Sequence, residues 1–132
     1  MAPDELKRKG VKTDKRRRAV PLGWSKVPAL GRDCIVLIDA GDIFYISGAG
    51  DYTTIHTLEK NLLCSLTLNQ LEMRLQDTFF FRAHRSFIAN LEKCESICLA
   101  QGGRYLQLCD RARTKIPVSR SKAKMLRDFI GF

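Results

Sequence analysis

The sequence contains no hydrophobic run of the roughly 18 residues that a membrane-spanning helix needs. It also lacks the apolar stretch of a secretory signal peptide at its start. Only two histidines are present, and the five cysteines form neither an even disulfide set nor the paired spacing of a zinc site. These shortages favour a cytoplasmic protein with reduced thiols, and they predict neither a metal site nor a cofactor.

Acidic residues are the scarcer charged class. The chain has 14 Asp and Glu against 23 Lys and Arg, a formal net charge of +9 in 132 residues. Residues 1–18 hold eight basic and three acidic side chains, and residues 104–132 hold eight and two, so the positive charge lies at the two ends. Such an excess indicates a polyanionic partner, either nucleic acid or an acidic membrane, or nothing more than a basic surface.

The chain divides into a tail and one domain. Residues 1–28 are predicted to be a basic tail or linker, because they are charged and show no apolar period, and the ordered domain is expected over 29–132. Short apolar runs between turn residues predict strands at 34–38, 43–47, 52–57, 62–64, 79–82, 86–89, 95–100, 105–109 and 115–118. A hairpin turn is expected at 101–103. Pro117 has no backbone N–H, so its strand is expected at a sheet edge.

Two short helices interrupt the strands of this mostly β chain. Thr67 and Gln70 fit a capping box, and leucines at helical spacing behind them predict a helix over 67–76. A second helix is expected to begin with Ser119 or Ser121 as its cap and to end near the C-terminus. The side chains of this helix expected in the core are Met125, Leu126 and Phe129.

Three stretches of sequence carry a family resemblance. They are IFYISGAGDYTTIH at 43–56, FFRAHRSFIANL at 80–91 and KIPVSRSK at 115–122. In this order and spacing they resemble the LytTR DNA-binding domain over about residues 33–132. The HRSF core followed by IPVSR is the specific part, since each stretch alone is a weak signal.

The resemblance implies stacked antiparallel sheets with two short helices, and DNA recognition by three loops in successive major grooves. By position, the base-reading side chains would be Tyr52, Arg85 and Arg120. Beside them would lie Asp51, His84, Ser119, Ser121 and Lys122. The basic character of the C-terminal stretch independently favours phosphate contacts from Arg113, Lys115, Lys122 and Lys124.

The predicted function is that of a bacterial transcription regulator that binds double-stranded promoter DNA in a sequence-specific manner. Arg85 and Arg120 suit this, because a guanidinium can contact guanine through two hydrogen bonds. The resemblance implies two copies on repeated half-sites. No enzymatic activity, small-molecule substrate or membrane partner is expected. Many family members carry a receiver domain ahead of this one. A chain of 132 residues has no room for it, so we expect either a short stand-alone regulator or a fragment of a longer protein.

Other interpretations stay open at this stage. A single-stranded nucleic-acid module would expose aromatic side chains on one sheet face, whereas the aromatics here fall within apolar runs. A protein-interaction or membrane-recruited module would depend on the basic tail. His84 could act as a general base, but no Ser/Cys–His–Asp order accompanies it. His56 is expected to be an ordinary surface residue of a strand.

Overall fold

The computed structural model describes residues 25–49, 51–76, 78–100 and 103–131. Over these residues the chain forms ten strands and two helices. In chain order they are β1 (Lys26–Leu30), β2 (Ile35–Asp39), β3 (Ile43–Ala49), β4 (Tyr52–Thr57), β5 (Asn61–Cys64), α1 (Leu68–Arg74), β6 (Phe80–His84), β7 (Phe87–Asn90), β8 (Cys94–Ala100), β9 (Gly103–Leu108), β10 (Lys115–Pro117) and α2 (Arg120–Ile130). No helix in these stretches is both long and apolar enough to cross a membrane.

The strands form three antiparallel sheets. β1 and β2 make a hairpin sheet, five strands make a central sheet in the order β5-β4-β3-β7-β6, and the remaining three pair in the order β10-β9-β8. One core lies between the hairpin sheet, α1 and the central sheet, and a second lies between the central sheet, the three-stranded sheet and α2. The prediction of a mostly β fold of stacked antiparallel sheets with two short helices is therefore confirmed.

The central sheet belongs to both cores because successive residues of a strand point to opposite faces. In β6, Phe80 packs in the first core and the adjacent Phe81 packs in the second. In β7, Ile88 and Ala89 divide in the same way. The apolar runs of β6 and β7 are strands buried on both faces, which explains why they do not alternate with polar residues.

The predicted capping box at the start of α1 is present. The backbone N–H of Gln70 donates to Thr67 Oγ1 at 3.1 Å, and the backbone N–H of Thr67 donates to Gln70 Oε1 at 2.9 Å. The helix ends at Arg74, with Leu75 as its C-cap, and so is shorter than predicted. Leu68, Leu71 and Leu75 are buried in the first core.

Helix α2 begins after Ser119 and ends where Gly131 takes the left-handed conformation, with φ 93°. The expectation for its core face is right for Leu126, which is fully buried, and wrong for Met125 and Phe129, which are 53% and 50% exposed. The helix lies at the margin of the central sheet, so only a narrow stripe of it reaches the core. Phe129 still contacts the ring of Phe81, with ring centroids 5.8 Å apart.

The strand predictions differ from the structure chiefly at the start of the domain. β1 begins at Lys26, ahead of the expected start at 29, and residues 1–24 of the predicted tail lie outside the described residues. Pro28 is tolerated in β1 because that strand has a single hydrogen-bonded neighbour. Pro117 lies in β10 at a sheet edge, as predicted. Positions 101 and 102 of the predicted hairpin turn are also outside the described residues, but Ala100 pairs with Gly103 on either side of them.

A buried asparagine links the central sheet to the chain that follows it. Asn90 is 3% exposed and ends β7. Its Nδ2 donates to the carbonyl of Ile43 at 2.9 Å, and its Oδ1 accepts from the backbone N–H of Glu92 at 3.0 Å. Both ends of the side-chain amide are therefore satisfied in an environment without solvent, where an unpaired polar atom would be costly.

His56 is half-buried and is not the ordinary surface residue expected from the sequence. Its ring stacks on Tyr45 with centroids 3.9 Å apart, and its two nitrogens lie 2.8 Å from Ser47 Oγ and 2.9 Å from Asn61 Oδ1. Burial lowers the pKa of His56, although the hydrogen bond with Asn61 and the charge of Asp110 act in the opposite direction. The neutral ring is thus the form that the fold favours.

Replacing Asn90 with alanine should lower the free energy of unfolding by about 1–3 kcal/mol, because the buried carbonyl of Ile43 and the partly buried N–H of Glu92 lose their partner. Chemical denaturation followed by circular dichroism measures this. Gln76→Ala, at an exposed position, is the control and should change stability by less than about 0.5 kcal/mol. Equal stability of the two variants would show that the Asn90 contacts contribute nothing.

Acidification should destabilise the domain through His56. As pH falls below the ordinary histidine value of 6.5, the unfolded chain binds a proton before the folded one does, so stability decreases until the lowered pKa of folded His56 is passed. His56→Gln should flatten the stability profile within this window. Urea midpoints measured at closely spaced pH values test this, and parallel profiles for both proteins would contradict it.

Candidate nucleic-acid interface

Three connections of the chain meet at one end of the central sheet. They are the β3–β4 turn, the β6–β7 turn and the junction between β10 and α2. The backbone N–H of Gly48, beside the first, donates to the carbonyl of Ser86 in the second at 3.1 Å. The backbone N–H of Ser119, in the third, donates to the carbonyl of Ala83 at 2.9 Å. Backbone hydrogen bonds therefore fix the three connections relative to one another.

The β3–β4 turn presents Asp51 and Tyr52. Both are exposed, and Tyr52 retains 56% of its accessible surface. The turn follows Gly48, where a Cβ would lie 2.9 Å from Thr53 Cγ2 and 3.1 Å from Leu68 Cγ. Glycine at this position lets the strand approach α1 closely, which holds the base of the turn against the first core.

The β6–β7 turn presents Arg85, which is exposed. The neighbouring His84 is partly buried, and its Nδ1 accepts a hydrogen bond from the backbone N–H of Ser86 at 3.1 Å. In a neutral imidazole with Nδ1 as the acceptor, the proton resides on Nε2. His84 thus braces the turn with one nitrogen and has a donor on the other, which suits the supporting role expected of it.

The third connection is the start of α2. Ser119 is the N-cap residue, but its side chain makes no capping hydrogen bond and lies 3.5 Å from the hydroxyl of Ser121. Arg120 and Ser121 are exposed, and Lys122 is partly buried. The hydroxyls and the first amides of the helix are therefore placed together at this end of the domain.

The charge of α2 opposes its own dipole. No acidic residue lies in its first turn, whereas Arg120, Lys122 and Lys124 occupy its N-terminal half. A helix N-terminus carries partial positive charge and is stabilised by nearby anions, so these cations cost helix stability in the free protein. The arrangement concentrates positive potential where a phosphate group would be bound.

The remaining predicted phosphate contacts are more scattered. Lys124 lies on α2, highly exposed, with its Nζ 3.9 Å from Asp128. Lys115, at the start of β10, lies over the ring of Tyr105 at 4.8 Å from its centroid. Arg113, in the β9–β10 turn, pairs with Glu95 of β8. This turn lies at the opposite end of the β9–β10 hairpin from Ser119. The structure thus gathers eight of the predicted residues near the three connections, and leaves Lys124, Lys115 and Arg113 progressively farther from them.

Two arginines near the three connections were not anticipated from the sequence. Arg82 donates hydrogen bonds to the backbone of the β6–β7 turn. Arg104, at the start of β9, donates from Nε to the carbonyl of Val118 at 3.3 Å. The backbone N–H of Val118 in turn donates to the carbonyl of Arg104 at 3.0 Å. A charged residue within an apolar strand was the available signal for Arg82, and membership of the basic C-terminal stretch was the signal for Arg104.

Known proteins share the sequence pattern and the fold of this domain. The family described as LytTr DNA-binding domain matches residues 33–131. A solved LytTr DNA-binding domain from a Bacillus cereus response regulator superimposes with a TM-score of 0.72 at 25% identity, covering 83% of this chain and all of that one.

Curated relatives include longer regulators. The heme-containing CO-sensing transcriptional regulator RcoM 1 of Paraburkholderia xenovorans is 34% identical over 106 residues, which are 80% of this chain and 40% of that protein. The sensory transduction protein LytT of Bacillus subtilis is 32% identical over 120 residues, which are 91% of this chain and 48% of that protein. The chain thus spans less than half of either relative. With the family matched over most of its length, the chain belongs to the LytTR family of DNA-binding domains.

Proposed function

We propose that this chain binds double-stranded promoter DNA in a sequence-specific manner and regulates transcription, reading major grooves through its three loops. The observation that best supports this proposal is the exposure of Tyr52, Arg85 and Arg120. All three lie on connections that backbone hydrogen bonds hold together at one end of the domain. Side chains on loops fixed by a rigid sheet are well placed for recognition.

In this proposal, some loop residues would contact bases and others would contact phosphates. Arg85 and Arg120 would contact guanine through two hydrogen bonds each, and Tyr52 would contact the base edges of a further groove. Asp51 and His84 would orient the first two loops. Phosphates would be bound by the start of α2, through Ser119, Ser121, Lys122 and Lys124.

The proposal includes the expected setting of the protein. Binding would occur in the bacterial cytoplasm, with two copies on repeated half-sites and without catalysis, cofactor or small-molecule substrate. Phe44, Phe80 and Phe81 are buried, which supports duplex rather than single-strand binding, since rings in the core cannot stack on bases. Tyr52 and Phe79 are exposed, but they lie at opposite ends of the central sheet.

Selection of binding sites from a random double-stranded DNA pool tests the proposal directly. At about 150 mM salt, where non-specific binding is weak, we expect one short motif to be recovered, repeated about one helical turn apart. Recovery of no motif, with affinity that only declines as salt increases, would contradict it. Tight binding to a single-stranded pool instead would favour the alternative nucleic-acid module.

Two substitutions should separate base reading from phosphate binding. Arg120→Ala should weaken binding to the selected site by about 1–3 kcal/mol and relax the preference at one base pair. Lys124→Ala should weaken binding to all sequences alike and reduce the salt slope by about one unit. Fluorescence anisotropy titrations over a salt series measure both.

Lys60→Ala serves as the control for the loss of charge. Lys60 is exposed in the β4–β5 turn, at the opposite end of β4 from Tyr52. Its removal should leave the base preference and nearly all of the affinity unchanged. An effect of Lys60→Ala equal to that of Arg120→Ala would mean that general charge alone determines binding.

A further inference from the structure

We infer that Arg82 is the positioning residue for Arg85, and that it determines base preference without contacting DNA. The inference rests on the proposed function, because it concerns how the β6–β7 turn, the loop that carries Arg85, would be held for DNA binding. It starts from a group of hydrogen bonds that join this loop to α1 through a single guanidinium.

The guanidinium of Arg82 is held on two sides. Toward the loop, Nε donates to the carbonyl of His84 at 2.9 Å and Nη2 donates to the carbonyl of Arg85 at 2.6 Å. Toward α1, Nη1 donates to Asn69 Oδ1 at 3.0 Å and to Glu72 Oε1 at 2.9 Å. The donors of a planar fork are thereby shared between the loop backbone and a helix.

The loop needs such support because its strands pair irregularly. The register of β6 with β7 shifts between Arg82 and His84, so the regular ladder is interrupted just before the turn. Interrupted pairing leaves backbone groups without their strand partners. Arg82 supplies the partners for the carbonyls of residues 84 and 85, and so fixes the backbone from which the Arg85 side chain projects.

The anchor on the other side belongs to a helix that is packed into a core. The side chain of Arg82 is 13% exposed, against 45% for Glu72. α1 in turn is packed into the first core by its leucines, so the chain of contacts runs from that core to the loop. Because the guanidinium of Arg82 is mostly buried and already hydrogen-bonded, it is not available to contact DNA, whereas Arg85 is exposed.

A simple ion pair does not account for the geometry. A pair with a half-exposed carboxylate contributes little by itself, and it would require neither of the two bonds to loop carbonyls. Lysine could preserve the charge near Glu72 but could not span both sides, because it lacks the planar fork. Position of the loop, rather than charge, is therefore what Arg82 provides.

A double-mutant cycle on DNA binding tests the inference. Arg85→Ala should reduce affinity for the selected site by about 5- to 150-fold. Arg82→Gln should reduce it by roughly tenfold in the wild-type background but by less than about twofold when Arg85 is already alanine, since coupled residues are non-additive. Both variants should lose preference at the same base pair. Arg82→Lys should behave like Arg82→Gln.

Arg111→Gln is the matched control, because it removes the same charge from an exposed position in the β9–β10 turn. Arg82→Gln and Arg111→Gln should share the same salt slope on random-sequence DNA. Equal losses from Arg82→Gln in both backgrounds, or no loss in either, would overturn the inference. If Arg82→Gln fails to fold, Glu72→Ala loosens the same anchor and should show the same dependence on Arg85.

Amide hydrogen exchange without DNA separates this inference from the proposed function. Arg82→Gln should accelerate exchange at the amides of residues 84–87 more than Arg111→Gln does, with α1 unaffected. If site selection fails while exchange in the loop increases, the proposed function is wrong and the positioning of the loop stands. If a motif is selected while exchange in the loop is unchanged, the inference about Arg82 is wrong and the function stands.

Discussion

Three strands of the central sheet, β3, β6 and β7, contribute buried apolar residues to both cores, and the other layers are arranged around that constraint. A sheet of this kind must be covered twice, since exposing either face would leave a large apolar area in water. The β1–β2 hairpin and α1 cover one face, and the β8–β9–β10 sheet and α2 cover the other. Neither cover is large enough to be independently stable, so the layers depend on one another.

The same constraint explains where the candidate interface lies. With both faces of β3, β6 and β7 covered, the turns at the ends of these strands are their accessible part. Two of the three connections at this end belong to the central sheet and the third follows β10 of the neighbouring sheet. Backbone hydrogen bonds between Gly48 and Ser86, and between Ser119 and Ala83, join them. Loops at the strand ends are thus the part of a doubly covered sheet that a partner can reach.

Sequence patterns predicted most of the individual strands and helices, but not which of them pack against one another. The capping box of Thr67 and Gln70 and the edge position of Pro117 follow from chemistry within a few residues of chain. β1 was missed because Pro28 is indistinguishable from a linker proline until its single neighbour is known. The environment of His56 depends on residues of three strands, which no spacing in the sequence reveals.

The candidate site shows the same division. Exposed positions on loops, such as Tyr52 and Arg120, could be assigned by their place in family motifs. The role of Arg82 could not, because its partners in α1 lie 10 and 13 positions away and its other partners are backbone carbonyls. Residues that hold a site in place leave weaker traces in a single sequence than residues that form it.

The exposure of Tyr52, Arg85 and Arg120 has a consequence for how such a domain diversifies. These side chains fill no space in either core, and surface substitutions of this kind usually change stability by less than about 0.5 kcal/mol. The chain should therefore fold almost equally well with other side chains at these three positions. The side chains of these loops can therefore be exchanged one loop at a time, while the covered sheet beneath is inherited without change.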